Sequence, residues 1–470
     1  MDPSSSLAMG SSSSAQTPSG PLPGTWTRLP ALGLADGRVR ALAVDPSGIL
    51  YALVSARGVY KSTDGGNTFS KVGRPNTVND LPTVVMPTLG LNSLGEVLVG
   101  TAPAGSGTTL EFLYRFNGAT NTWEMSTVSL PLNLGGYFPP AIRRDVQGHL
   151  ISSWPFRPDV MRSTDNGATW TAIPIPNAAH VPPNGPSATV KAVYGVASHP
   201  VSGELFCGTE GDQWWHSTDL GVSWAMVDEA GTSPVGQEPG QNGFLVAFNK
   251  DAEPLIGTQG KPSGDFLMRL RSDGTVVPSN TGFPVWGMVG TANATTVLRE
   301  MILTEEGHNY LAMPVADGQG GALPSDLWGS VDGATWHKLG APLVPELNAL
   351  AAWGASVLVG GGPANTGVIW KFTPVVANRL PRVTTGFAPG TIPSCTVTGL
   401  SLAGGATDAD NDPLSFSWRA RGPGVATFAN ANAAGTTVSF SAAGDYVLTL
   451  HATDGVRSAG APVMVHVTGN

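Results

Sequence analysis

Cysteine is almost missing: Cys207 and Cys395 are the only two in 470 residues. They fall in segments that read as different domains, so two buried free thiols are expected rather than a disulfide. Stability must then come from apolar packing. Charged residues are also scarce, at 13%, with a formal net charge of -9. That balance lacks the clustered basic field that nucleic acid needs, which excludes nucleic acid as a partner. No apolar run reaches the roughly 18 residues of a spanning helix, so no membrane span is expected. The eight histidines form no H-x-x-x-H, the cysteines have no zinc spacing, and neither G-x-S-x-G nor G-x-x-x-x-G-K-[ST] occurs. His199 and His308 fall near turns and are expected to face solvent.

What is abundant is turn material. Sixty-one glycines and 39 prolines imply many short strands, and 41% hydrophobic residues are enough to bury a core. The length suggests two or three domains. Residues 1–23 are rich in Ser, Pro and Gly and lack the charged start and apolar stretch of a signal peptide. They read as a disordered leader.

One pattern recurs seven times. A turn glycine, or Ala252 in one copy, precedes a short apolar strand at Gly48, Gly95, Gly148, Gly203, Ala252, Gly307 and Gly354. The copies lie 47 to 55 residues apart, near the period of a propeller blade. A second apolar strand precedes each copy: Val39–Val44, Thr83–Leu89, Phe138–Ile142, Ala192–Ala197, Phe244–Phe248, Met301–Thr304 and Ala349–Trp353. Little alternation within these pairs implies burial on both faces.

The outer half of the repeat carries its own signature. Ser62–Phe69, Ser163–Trp170 and Ser217–Trp224 fit S-x-D-x-G-x-[ST]-[WF], and Ser330–Trp336 fits with one residue deleted. This resembles the Asp-box (BNR) repeat of sialidases, xyloglucan-hydrolase propellers and related proteins. The resemblance implies an all-β fold, a seven-bladed β-propeller of four-stranded blades over residues 24–375, with the boxes on the face opposite the functional one. In physical terms the Asp caps its own hairpin turn and the Gly supplies a conformation closed to other residues. The aromatic ring packs between blades. Asp64, Asp165, Asp219 and Asp332 are therefore expected to be structural. The seventh strand pair is followed by Val368–Phe372 but no fourth strand. Thr25–Leu29 resembles the post-box strand and is expected to close the last blade.

Residues 376–470 differ. Leu414–Trp418, Thr436–Phe440, Asp445–Ala452 and Val463–Val467 alternate as half-buried strands do. With Asp408-Ala-Asp-Asn-Asp-Pro413 and Ala452-Thr-Asp-Gly455, this segment resembles the PKD/cadherin-like, Ig-type β-sandwich domains of bacterial extracellular proteins. The resemblance implies a secreted, cell-surface or periplasmic bacterial protein and a spacer or adhesive role. Asp408, Asp410, Asp412 and Asp454 are a candidate Ca²⁺ site, since alternating carboxylates supply hard oxygen ligands. The alternative is a solvated acidic turn. No other cofactor is required, and a monomer is expected.

Chemistry in a propeller belongs at the central mouth. The loops that face it by phase offer Arg57, Trp154, Arg157, Trp214, Trp215 and Lys261 for ligand binding. Trp faces stack on sugar rings, and cations bind hydroxyls or acidic substituents. Packing between blades is the alternative for Trp214 and Trp215. Glu210, Asp212 and Glu300 are the mouth carboxyls available for glycoside hydrolysis, which needs two such groups about 5–9.5 Å apart. None lies in a recognisable motif. The Arg-Ile-Pro motif of sialidases is absent, and Ser55 stands roughly where xyloglucan hydrolases place an Asp. Three readings stay open: an extracellular recognition protein for a polysaccharide or glycoprotein, a glycan-active hydrolase or lyase, and a protein–protein scaffold or assembly factor.

Overall fold

The computed structural model describes residues 22–469 except residue 56 and the segments 74–87, 102–111, 129–140, 154–158, 176–192, 210–213, 228–242, 259–266, 284–299, 317–321, 341–346, 348 and 363–366. Every regular element described is a strand.

Seven sheets are built from residues 24–374, and they repeat one plan. Sheet one runs Val39–Val44, Leu50–Val54, Gly58–Ser62 and Ser70–Lys71, each strand antiparallel to the last. The innermost strands of the other sheets are Thr88–Leu91, Ile142–Arg144, Val193–Ser198, Gly243–Phe248, Met301–Leu303 and Ala349–Trp353. Each innermost strand touches the next, and the seventh returns to touch the first. The chain thus forms a closed ring of radial sheets, the arrangement of a β-propeller. Three of the expected inner strands, those starting at Thr83, Phe138 and Ala192, begin outside the described residues, and their described portions are strand.

The ring closes as expected. Gly24–Arg28 pairs antiparallel with Val368–Pro374, from Gly24 opposite Pro374 to Arg28 opposite Trp370. The first strand of the chain is therefore the outer strand of the seventh sheet.

Leu50–Val54, Leu150–Ser153 and Ser356–Gly361 are buried at every residue, because both faces of each strand meet a neighbouring sheet. The box aromatics fill the same wedges. Phe69 packs with Ala349, Leu358 and Ile369 of the seventh sheet, Trp170 with Leu98 and Leu113 of the second. Trp224 packs with Ile151 and Val160 of the third, and Trp336 with Leu245 and Leu267 of the fifth. Burying one such ring contributes about 3 kcal/mol.

The four boxes share one hydrogen-bond scheme. Asp165 Oδ1 accepts from Thr169 N and Ser163 Oγ, both at 2.8 Å, and Oδ2 accepts from Thr169 Oγ1 at 2.6 Å. Ser163 Oγ in turn accepts from Gly167 N at 2.8 Å. Asp64 and Asp219 repeat the scheme, and Asp332 varies it by accepting Ser330 Oγ, Ala334 N and Thr335 N all through Oδ1. Gly167 has φ +90°, and a Cβ there would meet Leu98 Cδ2 at 2.2 Å, so no other residue fits.

Beyond the ring, Ser394–Thr396, Ser458–Thr468, Gly444–Thr453 and Ser415–Arg421 make a four-stranded sheet. A three-stranded sheet of Leu400–Ala403, Gly435–Phe440 and Ala426–Phe428 accompanies it. One core lies between them, including Trp418, Phe440, Tyr446 and Leu450. This C-terminal module rests on the ring. Lys250 Nζ donates to Ser458 O at 2.7 Å, Gly460 N to Lys250 O at 3.0 Å, and Gly390 N to Val201 O at 3.0 Å. Arg421 pairs with Glu204, and Arg457 with Glu306. These ring residues sit at the turns between first and second strands of sheets four, five and six. In an antiparallel sheet those turns share an end with the box hairpins between third and fourth strands. The module therefore occupies the box face.

Candidate functional site

Among the described residues the module makes no contact at the opposite end of the sheets, where the first strands begin and the second strands end. Five of the residues singled out from sequence, Trp154, Arg157, Glu210, Asp212 and Lys261, lie outside the described residues. Glu300 and Arg57 are described on this face.

Glu300 stands immediately before the innermost strand of sheet six. Its Oε2 accepts Leu350 N of sheet seven at 3.0 Å, so it bridges two neighbouring sheets. Burial pushes its carboxyl up to about 7, only partly opposed by the Leu350 N–H and the charge of Arg143. Arg143 lies on the innermost strand of sheet three. Burial lowers its own pKa, and Glu300 counters that. Sheets three and six are separated by two others around the ring, so these charges sense each other across the axial channel. Neither side chain is fully buried. At neutral pH Glu300 therefore stands between its charged and neutral forms, with the Arg143 charge near enough to oppose the rise. Arg143 was not singled out by sequence. The break in apolar pattern at Ile142-Arg143-Arg144 is the signal that could have found it.

Arg57 is exposed and donates through Nε to Asp36 O at 3.2 Å. Arg38, just before the first inner strand, donates through Nε to Gly362 O at 3.1 Å and so spans sheets seven and one.

Trp214 and Trp215 are only 3% and 2% exposed. Adjacent residues on one strand, they point to opposite sides. Trp215 joins Cys207, Ile151 and Val160 between sheets three and four, and Trp214 joins Phe248, Ile256 and Met268 between sheets four and five. They are inter-sheet packing and present no face to a sugar, which corrects the expected binding role. His199 and His308 are likewise buried, at 5% and 4% exposure, and burial pulls both down to about 4. The solvent-facing expectation fails for both, and for His199 the reason is that its imidazole caps its own turn. His199 Nδ1 accepts the backbone N–H of Val201 and Ser202, both at 3.2 Å. Cys207 is buried and Cys395 half-buried, and neither is bonded to the other.

In the C-terminal module Asp408 Oδ1 accepts the backbone N–H of Asp410 at 2.8 Å and of Asp412 at 3.2 Å. Asp410 Oδ2 accepts Arg379 N, and Asp454 accepts from Val456 N, Arg457 N and the Asn378 amide. Asp408 and Asp454 each cap a turn, and Asp408 Oδ2 is buried without a hydrogen-bond partner. Among the described residues no group of three or more His, Cys, Asp or Glu side chains converges on one point.

A second set of turn caps went unnoticed in the sequence. Asp45, Asn92, Asp145 and Asn249 each accept, through one side-chain oxygen, the backbone N–H groups two and four residues on. The signal is an Asp or Asn three residues before the turn glycine, or before Ala252 in the fifth copy.

No protein-family model matches the chain. A xyloglucanase of a Paenibacillus species is 27% identical over 134 residues, which is 28% of this chain and 12% of that protein. Among solved structures, a GH74 xyloglucanase from Xanthomonas campestris superposes with a TM-score of 0.51 at 16% identity, over 93% of this chain and 70% of its own. A virginiamycin B lyase from Staphylococcus aureus covers 75% of this chain and all of its own, at 13% identity and a TM-score of 0.48. The xyloglucanase superposition agrees with the ring of sheets in identifying a β-propeller. No helix among the described residues is long and apolar enough to cross a membrane.

Proposed function

We propose that the chain is a secreted or cell-surface bacterial recognition protein, a seven-bladed propeller with an Ig-type C-terminal module, that binds a glycan at the ring face opposite the boxes. The observation that carries this reading is the Glu300 and Arg143 pair in the axial channel. A guanidinium and a partly protonated carboxyl are both hydrogen-bond donors, suited to the hydroxyl and ring oxygens of a sugar. Similarity to two xyloglucanases supports a glycan rather than a protein ligand. The test is a glycan array with the full chain, followed by calorimetry on each ligand found. Arg143→Met and Glu300→Leu should each weaken binding about tenfold, the loss of one good hydrogen bond. Unchanged affinity in both variants, or capture of a protein partner with no glycan bound, defeats the proposal.

The pKa of Glu300 favours one second reading. A carboxyl held near 7 is the profile of a general acid, and a glycan hydrolase would need it plus a second carboxyl. Release of reducing ends from a bound polysaccharide, abolished in Glu300→Gln, would select hydrolysis over simple retention.

A further inference from the structure

A cavity of about 400 Å³ lies between sheet five and the C-terminal module. It is far from the axial channel, on the box face, and has two unlike walls. The module's wall is the outer surface of its four-stranded sheet. There Ser415 and Ser417 stand opposite Thr453 and His451, with Ser458 opposite Thr453 on the next strand and Arg419 further along. The ring's wall is Asp251, Glu253, Arg269 and Arg271. The volume is several times what trapped water needs and within the range of ligand sites.

The charges in this cavity are unevenly committed. Asp251 accepts Lys250 Nζ at 2.8 Å and Ser458 Oγ at 3.1 Å. Glu253 accepts Arg269 at 3.2 Å, the Asn249 amide at 3.1 Å and Ser272 N at 3.2 Å. Both carboxylates are thereby satisfied. Arg271 and Arg419 have no ion pair among the described residues. They share the field of one carboxylate, Asp273, which is itself bound to Thr275 N and Oγ1. Two guanidiniums against one distant carboxylate leave an excess positive charge beside a wall of hydroxyls. His451 places Nε2 3.2 Å from Ser272 Oγ and Nδ1 3.8 Å from Asp251 Oδ1.

We propose that this cavity is a binding site for a single sugar acid, with the carboxylate held by Arg271 and Arg419 and the ring hydroxyls met by the serine and threonine wall. A guanidinium pair selects the carboxylate. A hydroxyl wall selects a polyhydroxylated body over an apolar one. The site exists only while the module is docked, since each partner supplies one arginine.

The full chain is titrated with glucuronate and with glucose by ligand-observed NMR. Saturable binding of glucuronate, at least tenfold tighter than glucose, is expected. The double variant Arg271→Met with Arg419→Met should lose that preference, whereas Arg143→Met in the channel should keep it. Circular dichroism of the double variant confirms its fold, and each single variant serves where the double does not fold. No saturable glucuronate binding, equal binding of glucose, inorganic sulfate binding as tightly as glucuronate, or arginine variants with unchanged preference would each overturn the site.

Discussion

The carboxyl of Glu300 makes a quantitative claim about stability. Its pKa stands at about 7 in the folded chain, against 4.5 when unperturbed. A carboxyl raised on folding stabilises fully below its unfolded pKa, and that contribution is lost as pH rises through the folded value. The unfolded chain binds fewer protons between those limits, so stability falls with pH. A difference of roughly 2.5 pKa units corresponds to about 3.4 kcal/mol. Over a practical span from near pH 5 to near pH 8.5, linkage gives a loss of about 2.5 kcal/mol from this group. Residual channel solvent at Glu300 makes that an upper figure. Glu300→Gln removes the titration while its amide oxygen still accepts Leu350 N. Urea unfolding of wild type and variant at the two pH values isolates the effect as a difference of differences. The variant should match wild type within about 1 kcal/mol near pH 5 and exceed it by about 2–3 kcal/mol near pH 8.5. Curves that stay parallel across the range would refute a buried, proton-linked carboxyl in the channel.

Other positions give sharper structural tests. Gly167→Ala should cost more than about 2 kcal/mol in thermal or urea unfolding, since it combines a positive φ with a clash into Leu98. Arg421→Met strips a partner from Glu204, whose carboxyl is desolvated yet held below its ordinary range by Arg421 and then His216. It should cost about 3 kcal/mol near pH 7, read by urea unfolding, with faster proteolysis around residues 374–381 reporting a loosened module. A carboxyl lowered on folding stabilises above its unfolded pKa and loses that as pH falls through the folded one, so the wild-type advantage over this variant should shrink on acidification below about pH 4.5. Deleting residues 24–28 bares the edge of Val368–Pro374 and should produce aggregates in light scattering that the full chain does not form.

Much of the fold was legible because it is a repeat. A strand buried on both faces needs a continuous apolar run, and a tight hairpin needs an Asp cap and a glycine, so the pattern is written once per sheet. The closing strand was legible because Thr25–Leu29 resembles the strand after a box. The site was less so. Trp214 and Trp215 read as a sugar platform from composition, but the radial geometry turns both sides of a third strand toward neighbouring sheets, and both rings are consumed by packing. Arg143 was missed because a charge on an innermost strand breaks the apolar pattern by one residue only. His199 was misplaced for a related reason: a turn histidine can cap its own backbone and be buried beneath it. The module's docking depends on pairs such as Glu204 with Arg421, 217 residues apart, which no local pattern encodes.

The two faces of the ring differ in what their carboxyls have left to give. On the box face Asp64 is saturated: the Thr68 side chain and backbone, then Ser62, hold it down at about 2. In Asp165 and Asp219 burial pulls upward, and the same kind of turn donors outweigh it to keep both below the ordinary range. Such groups stay ionised through any physiological pH, and most of their acceptor capacity is taken by the turn. Glu300 accepts one backbone N–H and is held near neutrality by burial. The residue type is nearly the same, and hydrogen-bond supply decides the outcome. Three turn donors per carboxylate make a rigid hairpin, and one donor leaves a group free to exchange a proton or bind an oxygen. A docked module can therefore cover the box face at no loss to carboxyl chemistry, whereas covering the other face would bury Glu300.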